Sequence, residues 1–409
     1  MYSISGIIIS ICLQIKAYRF QIESTHHKQA ESNLNQRKKH FFLVFCTNWT
    51  IFVLVMDIHG YLHDATELLK ELIAIPSESR NETKAADKLA AYLDKWGLPY
   101  GREGNNLWVG CQDWDNNRPT ILLNAHIDTV KPVASWTRDP YQPTQEGDVL
   151  YGLGANDCGG GLVSLLQAYR IMVARPRNYN LLWVASAEEE VSGKDGFSRV
   201  LPLLPKIDVA IVGEPTGLQP AIAEKGLMVI DGYAHGVSGH AAREEGVNAI
   251  YEALDDLVWL RDYRFRKSSP LLGDTKMTVT VVESGTQHNV IPDTLHFIID
   301  VRANEYYRNE YLFEFLRKHM KKCELKARSF RLHSSCISAE HPLIKRCTAM
   351  GMQPFGSPTL SDQALMPFPS FKLGPGESCR SHSADEYIKI SEIEQAINTY
   401  VSLLAGLIL

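Results

Sequence analysis

The stretch Thr120–Asp128, which reads TILLNAHID, decides how this chain folds. A short apolar run leads directly into a histidine and, two residues later, an aspartate. Two further segments have the same form: NLLWVASA at 180–187 runs into three glutamates, and DVAIVG at 208–213 runs into Glu214. Short apolar runs of this kind predict buried strands, each with polar residues just beyond its end.

Helical segments alternate with these predicted strands. Residues 159–174 (GGGLVSLLQAYRIMVA) predict a helix between the first two strands. Ahead of them, 62–75 and 82–96 read as amphipathic helices, the second with Asn81 as a candidate N-cap and Gly97 as a stop. This alternation favours an α/β fold whose mostly parallel sheet is covered by helices on both faces. Ligands bind such sheets at the carboxyl ends of the strands, so we expect the histidine and the acids to share one edge.

The middle of the chain predicts a second, smaller layer. Its strands alternate apolar and polar residues, as strands with one solvated face do, and its helices flank them. The predicted strands are 227–234, 277–283 and 295–302, and the predicted helices are 247–263 and 307–321. We therefore expect an inserted α+β lid domain at 225–336 within a catalytic domain made of 57–224 and 337–409.

After the insertion the first pattern resumes. Residues 341–350 and 390–409 again predict helices. The stretch 351–383 is rich in Gly, Pro and Ser, which predicts loops, and around 356–358 and 374–376 it is too rich in turn residues to belong to the core. Loops of this length inside a compact domain usually have a function.

Composition excludes several classes of protein. The 409 residues are 45% hydrophobic and 22% charged with a formal net charge of −5, and no basic cluster stands out in the sequence, so we expect no nucleic-acid partner. The eight cysteines form no CxxC pair, which argues against a zinc ribbon or a disulfide framework. Buried free thiols in a reducing cytoplasm are the interpretation we adopt.

Residues 1–55 differ from the rest of the chain. A polar stretch at 21–40 leads into an apolar run at 41–56. That run is shorter than the roughly 18–20 apolar residues of a spanning helix, polar residues interrupt it, and no small-residue cleavage site follows it. It could be a membrane anchor, a late signal peptide, or upstream sequence ahead of a start at Met56. We favour the last interpretation, so residues 1–55 are a leader outside any domain, and a membrane partner is not expected.

The residues at the strand ends have the chemistry of a metal site. Imidazole and carboxylate ligands without thiolates suit zinc, with cobalt or manganese as substitutes. Residues 188–190 are three successive glutamates at a buried edge, where like charges repel strongly unless a cation neutralises them. Taken alone, they could form a solvated acidic loop. The solvated loop is the less favoured interpretation, because the other candidate ligands are expected at the same edge of the sheet. These are His126, Asp157, Glu214 and His382.

The same residues indicate hydrolysis. Two divalent ions bridged by one carboxylate can lower the pKa of a shared water and polarise a carbonyl together. A free glutamate beside them can then act as general base and acid. Asp128 lies two residues after His126, so it could bind metal itself or accept the second N–H of that imidazole and fix its tautomer.

Seven motifs give the chain a family resemblance. They are HIDTV (126–130), YGLGANDCGGG (151–161), SAEEEVSG (186–193), VGEPT (212–216), GVSGHAA (236–242), NVIPD (289–293) and GPGESCRSHSADEY (374–387). In this order they resemble the two-zinc family that contains acetylornithine deacetylase, succinyl-diaminopimelate desuccinylase and aminoacylase. The resemblance extends from about residue 57 to the C-terminus. VGEPT, AIAEKG (221–226) and the last motif are most similar to the acetylornithine deacetylase branch.

The resemblance implies a complete set of metal ligands. His126 and Glu214 would be terminal ligands of one metal ion, Glu190 and His382 would hold the other, and Asp157 would bridge the two.

The resemblance also implies roles for other residues. Glu189 would be the general base, and Asp128 would orient the first histidine ligand. His240 would stabilise the oxyanion of the tetrahedral intermediate, and Asn289 and Arg302 would hold the substrate carboxylate. Arginine suits that last role because its planar fork binds a carboxylate through two hydrogen bonds. On an alternating strand, Arg302 could instead belong to the solvated face.

The chain departs from the family pattern in one place. Glu188 stands where the family usually has Asp, so the register of the three acids is set by the residues that follow, 191–193. The resemblance also implies a cis peptide between Asp157 and Cys158. Three residues of the late loops, Ser361, Asp362 and Arg380, are candidates for shaping selectivity.

We therefore predict a metal-dependent amidohydrolase that removes the N-acyl group of a small amino acid. N-acetylornithine, in arginine biosynthesis, is the first substrate to test, and N-succinylornithine and N-acylcitrulline remain alternatives. A dipeptidase or aminopeptidase of the same family is the enzymatic rival, and a catalytically inactive binding protein is the rival from another class. The resemblance further implies a homodimer formed through the inserted domain.

Overall fold

A mixed sheet of nine strands runs through the computed structural model, which describes residues 58–243 and 245–409. The predicted leader, residues 1–55, lies outside these described residues. From edge to edge the sheet consists of β1 (Gly101–Glu103), β2 (Asn106–Gly110), β6 (Asn180–Ser186), β3 (Thr120–His126), β7 (Val209–Val212), β17 (Ser370–Lys372), β8 (Ala221–Glu224) and β15 (Ser335–Cys336), with β16 (Phe355–Ser357) also paired to β8.

The four central strands, β6, β3, β7 and β17, are parallel to one another. Every residue of β3 and β6 is buried, so both faces of the sheet are covered there. The predicted α/β class, with parallel strands at the centre, is confirmed.

Helices pack around this sheet. The helix at Gly160–Val173 contacts β3, β6 and the helix at Ile390–Leu404. The helices of this layer are α1 (58–73), α2 (Thr83–Lys95), α3 (Gly160–Val173), α4 (Phe197–Val200), α7 (Pro342–Ala349) and α8 (Ile390–Leu404). The predicted stop at Gly97 is confirmed, since this glycine has a φ of 62° just after α2 ends. The predicted N-cap at Asn81 is wrong: the capping position is Glu82, and no side chain caps the helix.

The prediction that the turn residues at 374–376 lie outside the core is also wrong. Strand β17 falls inside the stretch 351–383 and is fully buried, as are Gly374, Pro375 and Gly376 after it. A Cβ on Gly374 would lie 2.3 Å from the backbone oxygen of Glu214. The glycine here therefore allows a close approach of two backbones, which residue composition alone does not distinguish from an exposed turn.

A second, antiparallel sheet follows in the chain. Its strands, in spatial order, are β11 (Lys276–Ser284), β13 (Thr294–Ala303), β9 (Gly226–His235) and β14 (Cys323–Ala327). Helices α5 (Ala249–Asp262) and α6 (Asn309–His319) pack with the alternate, buried residues of these strands. Residues 60–409 cluster as one compact unit, so the boundaries of the inserted domain stay a prediction.

Two small sheets complete the fold. Strands β10 (Gly239–His240) and β12 (Val290–Ile291) pair with each other, and β4 (Thr144–Glu146), β5 (Val149–Tyr151) and β18 (Tyr387–Lys389) form a three-stranded sheet. Across the described ranges, no helix has the length and apolar character needed to cross a membrane.

Candidate metal centre

The carboxyl ends of the central strands bring the predicted ligands together. His126 is the last residue of β3 and is paired in register with Ser186, the last residue of β6. The acids 189–190 follow β6, and Glu214 comes two residues after the end of β7. Because these strands are parallel neighbours, their polar ends meet at one edge of the sheet, as the sequence predicted.

Asp157 lies between the two histidines. Its Oδ1 is 3.2 Å from Nε2 of His126, and its Oδ2 is 3.6 Å from Nε2 of His382. The peptide between Asp157 and Cys158 is cis, as the family resemblance implied. A carboxylate whose two oxygens face two different imidazoles has the arrangement required of a ligand shared by two ions.

Each histidine has its own acidic neighbour. Nε2 of His126 is 3.7 Å from Oε1 of Glu214, and both side chains are buried. Nε2 of His382 is 2.9 Å from Oε2 of Glu190, and this imidazole is half-exposed. The site therefore has a closed half around His126 and a more open half around His382.

These residues fit a bound cation. Oε1 of Glu214 is buried and, within the described part of the chain, has no hydrogen-bond partner. Burial and the neighbouring Asp157 carboxylate raise the pKa of Glu214 to about 8. Two overlapping groups, His126–Glu189–Glu190 and Asp157–Glu190–His382, each have ligand atoms within 4.8 Å of one another. A divalent ion would satisfy the unpaired oxygen and offset the crowded negative charge.

Cys158 is close to these ligands and also contacts the backbone at the end of β3. Its Sγ lies near Glu214 and accepts the backbone N–H of His126 at 3.2 Å. Burial raises the pKa of this thiol. Its contact with the His126 backbone fixes the end of β3.

The Asp128 carboxylate positions the loop that carries two of the acids. It accepts the backbone N–H groups of Glu189 at 3.0 Å and of Glu190 at 3.1 Å, and the hydroxyl of Ser79 at 2.6 Å. Nδ1 of His126 lies closer to the backbone oxygen of Asp128, at 2.9 Å, than to its carboxylate, at 3.6 Å. Asp128 thus contacts both the imidazole and the acidic loop.

The three successive glutamates point in different directions. Glu188 has a φ of 54°, and its Oε2 accepts the backbone N–H of Asp195 at 3.3 Å. The side chain of Glu189 is 9% exposed, and its Oε2 lies 3.9 Å from Nε2 of His126. Burial, with a contribution from Glu214, raises the pKa of Glu189 well above the usual range. The geometry therefore favours the register in which Glu189 and Glu190 serve the metal centre.

Glu386 is a residue that sequence reasoning missed. Its Oε1 accepts the backbone N–H groups of Asn156 at 2.8 Å and of Asp157 at 2.9 Å, and its Oε2 accepts that of Gly154 at 3.2 Å. The carboxylate is buried and holds the turn that aims Asp157 at the histidines. Its position four residues after His382 places it close to a predicted ligand in the sequence. No sequence pattern, however, indicated that it would contact the turn at 154–157.

The residues predicted to stabilise the oxyanion and bind substrate lie elsewhere in the chain. His240 and Asn289 are adjacent: β10 pairs with β12, and Ala241 N–H donates to the Asn289 carbonyl at 3.0 Å. Both side chains are exposed. Within the described residues, no hydrogen bond or ion pair joins His240 to a metal ligand.

Arg302 has an intramolecular partner. Its guanidinium binds both carboxylate oxygens of Asp300, two residues away on β13, at 2.9 and 3.1 Å. The guanidinium that was expected to hold a substrate carboxylate is therefore already paired with Asp300. The pair lies on the partly exposed face of the strand.

The three candidates in the late loops make internal contacts as well. Ser361 donates to Glu224 at 2.7 Å, and Asp362 accepts from Ser186 at 2.5 Å, with both pairs buried. Arg380 forms a two-point ion pair with Glu392 at 2.8 and 3.0 Å. These contacts anchor the late loops to the sheet and to α8.

A sequence profile of Peptidase family M20/M25/M40 matches residues 122–406. The chain belongs to this family. Among curated relatives, the acetylornithine deacetylase of Proteus mirabilis is 29% identical over 365 residues, covering 80% of this chain and 92% of the relative. A putative succinyl-diaminopimelate desuccinylase of Mycobacterium tuberculosis is 29% identical over 368 residues, covering 86% and 100%.

Solved structures have the same fold. The aminopeptidase PepT of Bacillus cereus superposes with a TM-score of 0.68 at 17% identity, covering 84% of this chain and 98% of that one. The YXEP protein of Bacillus subtilis, described as a dinuclear metal binding peptidase, gives 0.66 at 16% identity and covers 85% and 98%. The family predicted from the motifs is confirmed, and with it the prediction of a metal-dependent amidohydrolase.

Proposed function

We propose that this M20 enzyme hydrolyses the N-acyl group of a small amino acid, and that N-acetylornithine is its first substrate to test. The observation that carries the proposal is the position of Asp157 between two histidine–glutamate pairs at the carboxyl edge of the sheet. The names of two curated relatives describe removal of an acetyl or a succinyl group, which supports a deacylase. Action on N-acetylornithine would give the protein a place in arginine biosynthesis, in the cytoplasm.

We further propose that the site holds two divalent ions, with zinc the first choice and cobalt or manganese as substitutes. His126 and Glu214 would hold one ion, Glu190 and His382 the other, and Asp157 would bridge them. When bound, the two ions supply Lewis acidity, which activates a water and polarises the scissile carbonyl.

Glu189 is the group that would move the proton. Its Oε2 is 3.9 Å from the imidazole of His126, and its backbone N–H is fixed by Asp128. A carboxylate held beside the reacting atoms can accept a proton from the attacking water and deliver it to the nitrogen of the departing amine. In this proposal Asp128 positions both His126 and the Glu189 backbone.

In this proposal the oxyanion donor, His240, reaches a metal centre either when the inserted domain closes over it or from a second copy of the chain. His240 is exposed, and so are several apolar side chains on α5 and around β10. On α5 and around β10 these are Val237 (58%), Val290 (38%), Tyr251 (71%), Leu254 (46%) and Val258 (46%). Burying these side chains against a second copy would stabilise a homodimer, and could carry His240 toward the partner's metal centre.

A turnover screen tests the proposed function. The panel is the N-acetyl, N-succinyl and N-formyl derivatives of ornithine, citrulline and lysine, together with dipeptides, and the readout is release of the free α-amine. We expect the highest kcat/KM with N-acetylornithine. Preference for a dipeptide would make the enzyme a peptidase, and a metal-loaded protein that turns over no member of the panel would support the inactive binding protein instead.

A further inference from the structure

A groove of about 570 Å³ lies beside the loop that presents Glu189 and Glu190. Its wall includes Glu188 and residues 191–195, which flank the two acids, and it also includes Arg80 and Arg331. The groove thus borders the metal centre through the backbone of one loop, and Arg80, Lys194 and Arg331 in its lining belong to none of the seven motifs.

Three cations in this groove have no carboxylate partner. Arg80 and Lys194 are exposed, and within the described residues their side chains form no hydrogen bond or ion pair. Arg331 donates to the carbonyls of Ser192 at 2.6 Å and Gly193 at 3.4 Å and to a nearby hydroxyl. Its contacts fix the loop, but they leave its positive charge unneutralised.

The acids of the same groove are already engaged. Glu188 accepts the backbone N–H of Asp195. The Asp195 carboxylate forms an ion pair with Arg199 at 2.9 Å. With Asp195 paired to Arg199, the three cations of the groove outnumber its remaining carboxylate, Glu188, so the net charge of the groove is positive and favours an anionic ligand.

The backbone of Arg80 adds an independent observation. Its φ is 76°, a left-handed conformation that glycine adopts freely and a long side chain does not. Its N–H donates to Oε1 of Glu82 at 2.6 Å, and the same oxygen accepts the N–H of Glu188 at 3.2 Å. Arg80 is thus held in a strained conformation and tied to the start of the metal-site loop. Strain of this kind clusters at functional sites.

We propose that the groove is a carboxylate-binding site in which the Arg80 guanidinium is the main recognition group and Lys194 assists it. A guanidinium with all its donors free can bind a carboxylate through two parallel hydrogen bonds. The carboxylate could belong to an acidic acyl chain on the substrate or to a free dicarboxylate. Only the first of these sources rests on the proposed deacylase function.

Titration with succinate tests the site without reference to activity. The metal-loaded full chain is titrated by calorimetry, in parallel with Arg80→Gly and Arg80→Gln. Arg80→Gly removes the charge at a position where glycine relieves strain, so it should fold with an unchanged or higher Tm. The matched control is Arg266→Gln, which changes an exposed arginine in the segment after α5. We expect the Kd for succinate to rise about tenfold or more in both Arg80 variants and to stay constant in the control.

Kinetics then separate the two sources of the carboxylate. If the substrate supplies it, Arg80→Gly should raise KM for N-succinylornithine about tenfold and leave KM for N-acetylornithine unchanged. If a free dicarboxylate supplies it, neither KM changes, and only the response to added succinate is lost. If no substrate turns over, the proposed deacylase function is wrong. The succinate titration still tests whether the groove binds a carboxylate. Succinate affinity that is equal in wild type and Arg80→Gly, with no selective change in KM, overturns the proposal.

Discussion

Oε1 of Glu386 accepts the backbone N–H of Asp157 at 2.9 Å. The same carboxylate also accepts the N–H groups of Gly154 and Asn156, and it is buried. Burial, together with the Asp157 carboxylate, raises the pKa of Glu386 to about 8. A residue four positions after one proposed ligand therefore sets the direction of the bridging ligand, and this relationship couples the 374–387 loop to the sheet edge.

Replacing Glu386 by Gln should weaken the centre without touching a ligand. The amide NH₂ would face a backbone N–H, and leaving such a donor unpaired costs about 1–3 kcal/mol. We expect a lower free energy of unfolding in urea and weaker metal binding in competition with a chelator. The control is Glu67→Gln, since the Glu67 side chain is 51% exposed. Unchanged metal affinity in Glu386→Gln would show that the 154–157 turn positions Asp157 without the hydrogen bonds to Glu386.

The two neighbouring acids should give opposite phenotypes. Glu190→Ala removes one of the three proposed ligands of an ion, so we expect one metal to be lost. Glu189→Gln should keep both metals and lower kcat by about 10²–10⁴-fold, the range for loss of a general base. Metal content and kcat are measured on the same preparations. Near-normal turnover of Glu189→Gln, or loss of metal from it but not from Glu190→Ala, would reverse the assignment.

Most of the central sheet could be predicted because its strands are continuous apolar runs. The runs at 120–125, 180–187 and 208–213 became β3, β6 and β7, and their polar ends meet as expected. The alternating runs 227–234 and 295–302 became β9 and β13 for a related reason, since a period of two marks a strand with one buried face.

The features that could not be predicted depend on contacts between residues that are far apart in the sequence. Strand β17 has only three residues, Ser370–Lys372, and is buried because β7 and β8 lie on either side of it. Glu386 reaches the 154–157 turn across more than 220 residues. No local pattern encodes such pairings.

The pairing of Arg302 with Asp300 leads to a test of its proposed role. If Arg302 exchanges Asp300 for the substrate carboxylate, Arg302→Lys should raise KM far more than it lowers kcat, because a point charge replaces a two-point fork. Asp300→Asn should then lower KM, since the competing partner is weakened. Steady-state kinetics of both variants supply the measurement. Constant KM in the two variants would make the pair a solvated surface contact.

His240→Ala should retain both metals and lose about 10²–10³-fold in kcat, the usual effect of removing one oxyanion donor. If a second subunit supplies His240, mixing His240→Ala with Glu189→Gln chains should restore part of the activity, because each mixed dimer then has one complete site. Activity is assayed after sedimentation analysis has verified the heterodimer. A verified heterodimer without recovered activity would exclude donation between subunits.

The central claim is that His126, Asp157, Glu190, Glu214 and His382 hold two divalent ions that the reaction requires. The most direct measurement is the number of metal ions per chain, by elemental mass spectrometry, taken together with amide hydrolysis on the same sample before and after chelation. We predict two ions per wild-type chain, fewer than two in Asp157→Asn, and hydrolysis that disappears on chelation and returns with added zinc. A metal-free wild type that hydrolyses its substrate at full rate, or an Asp157→Asn variant that keeps two ions and full activity, would contradict the account.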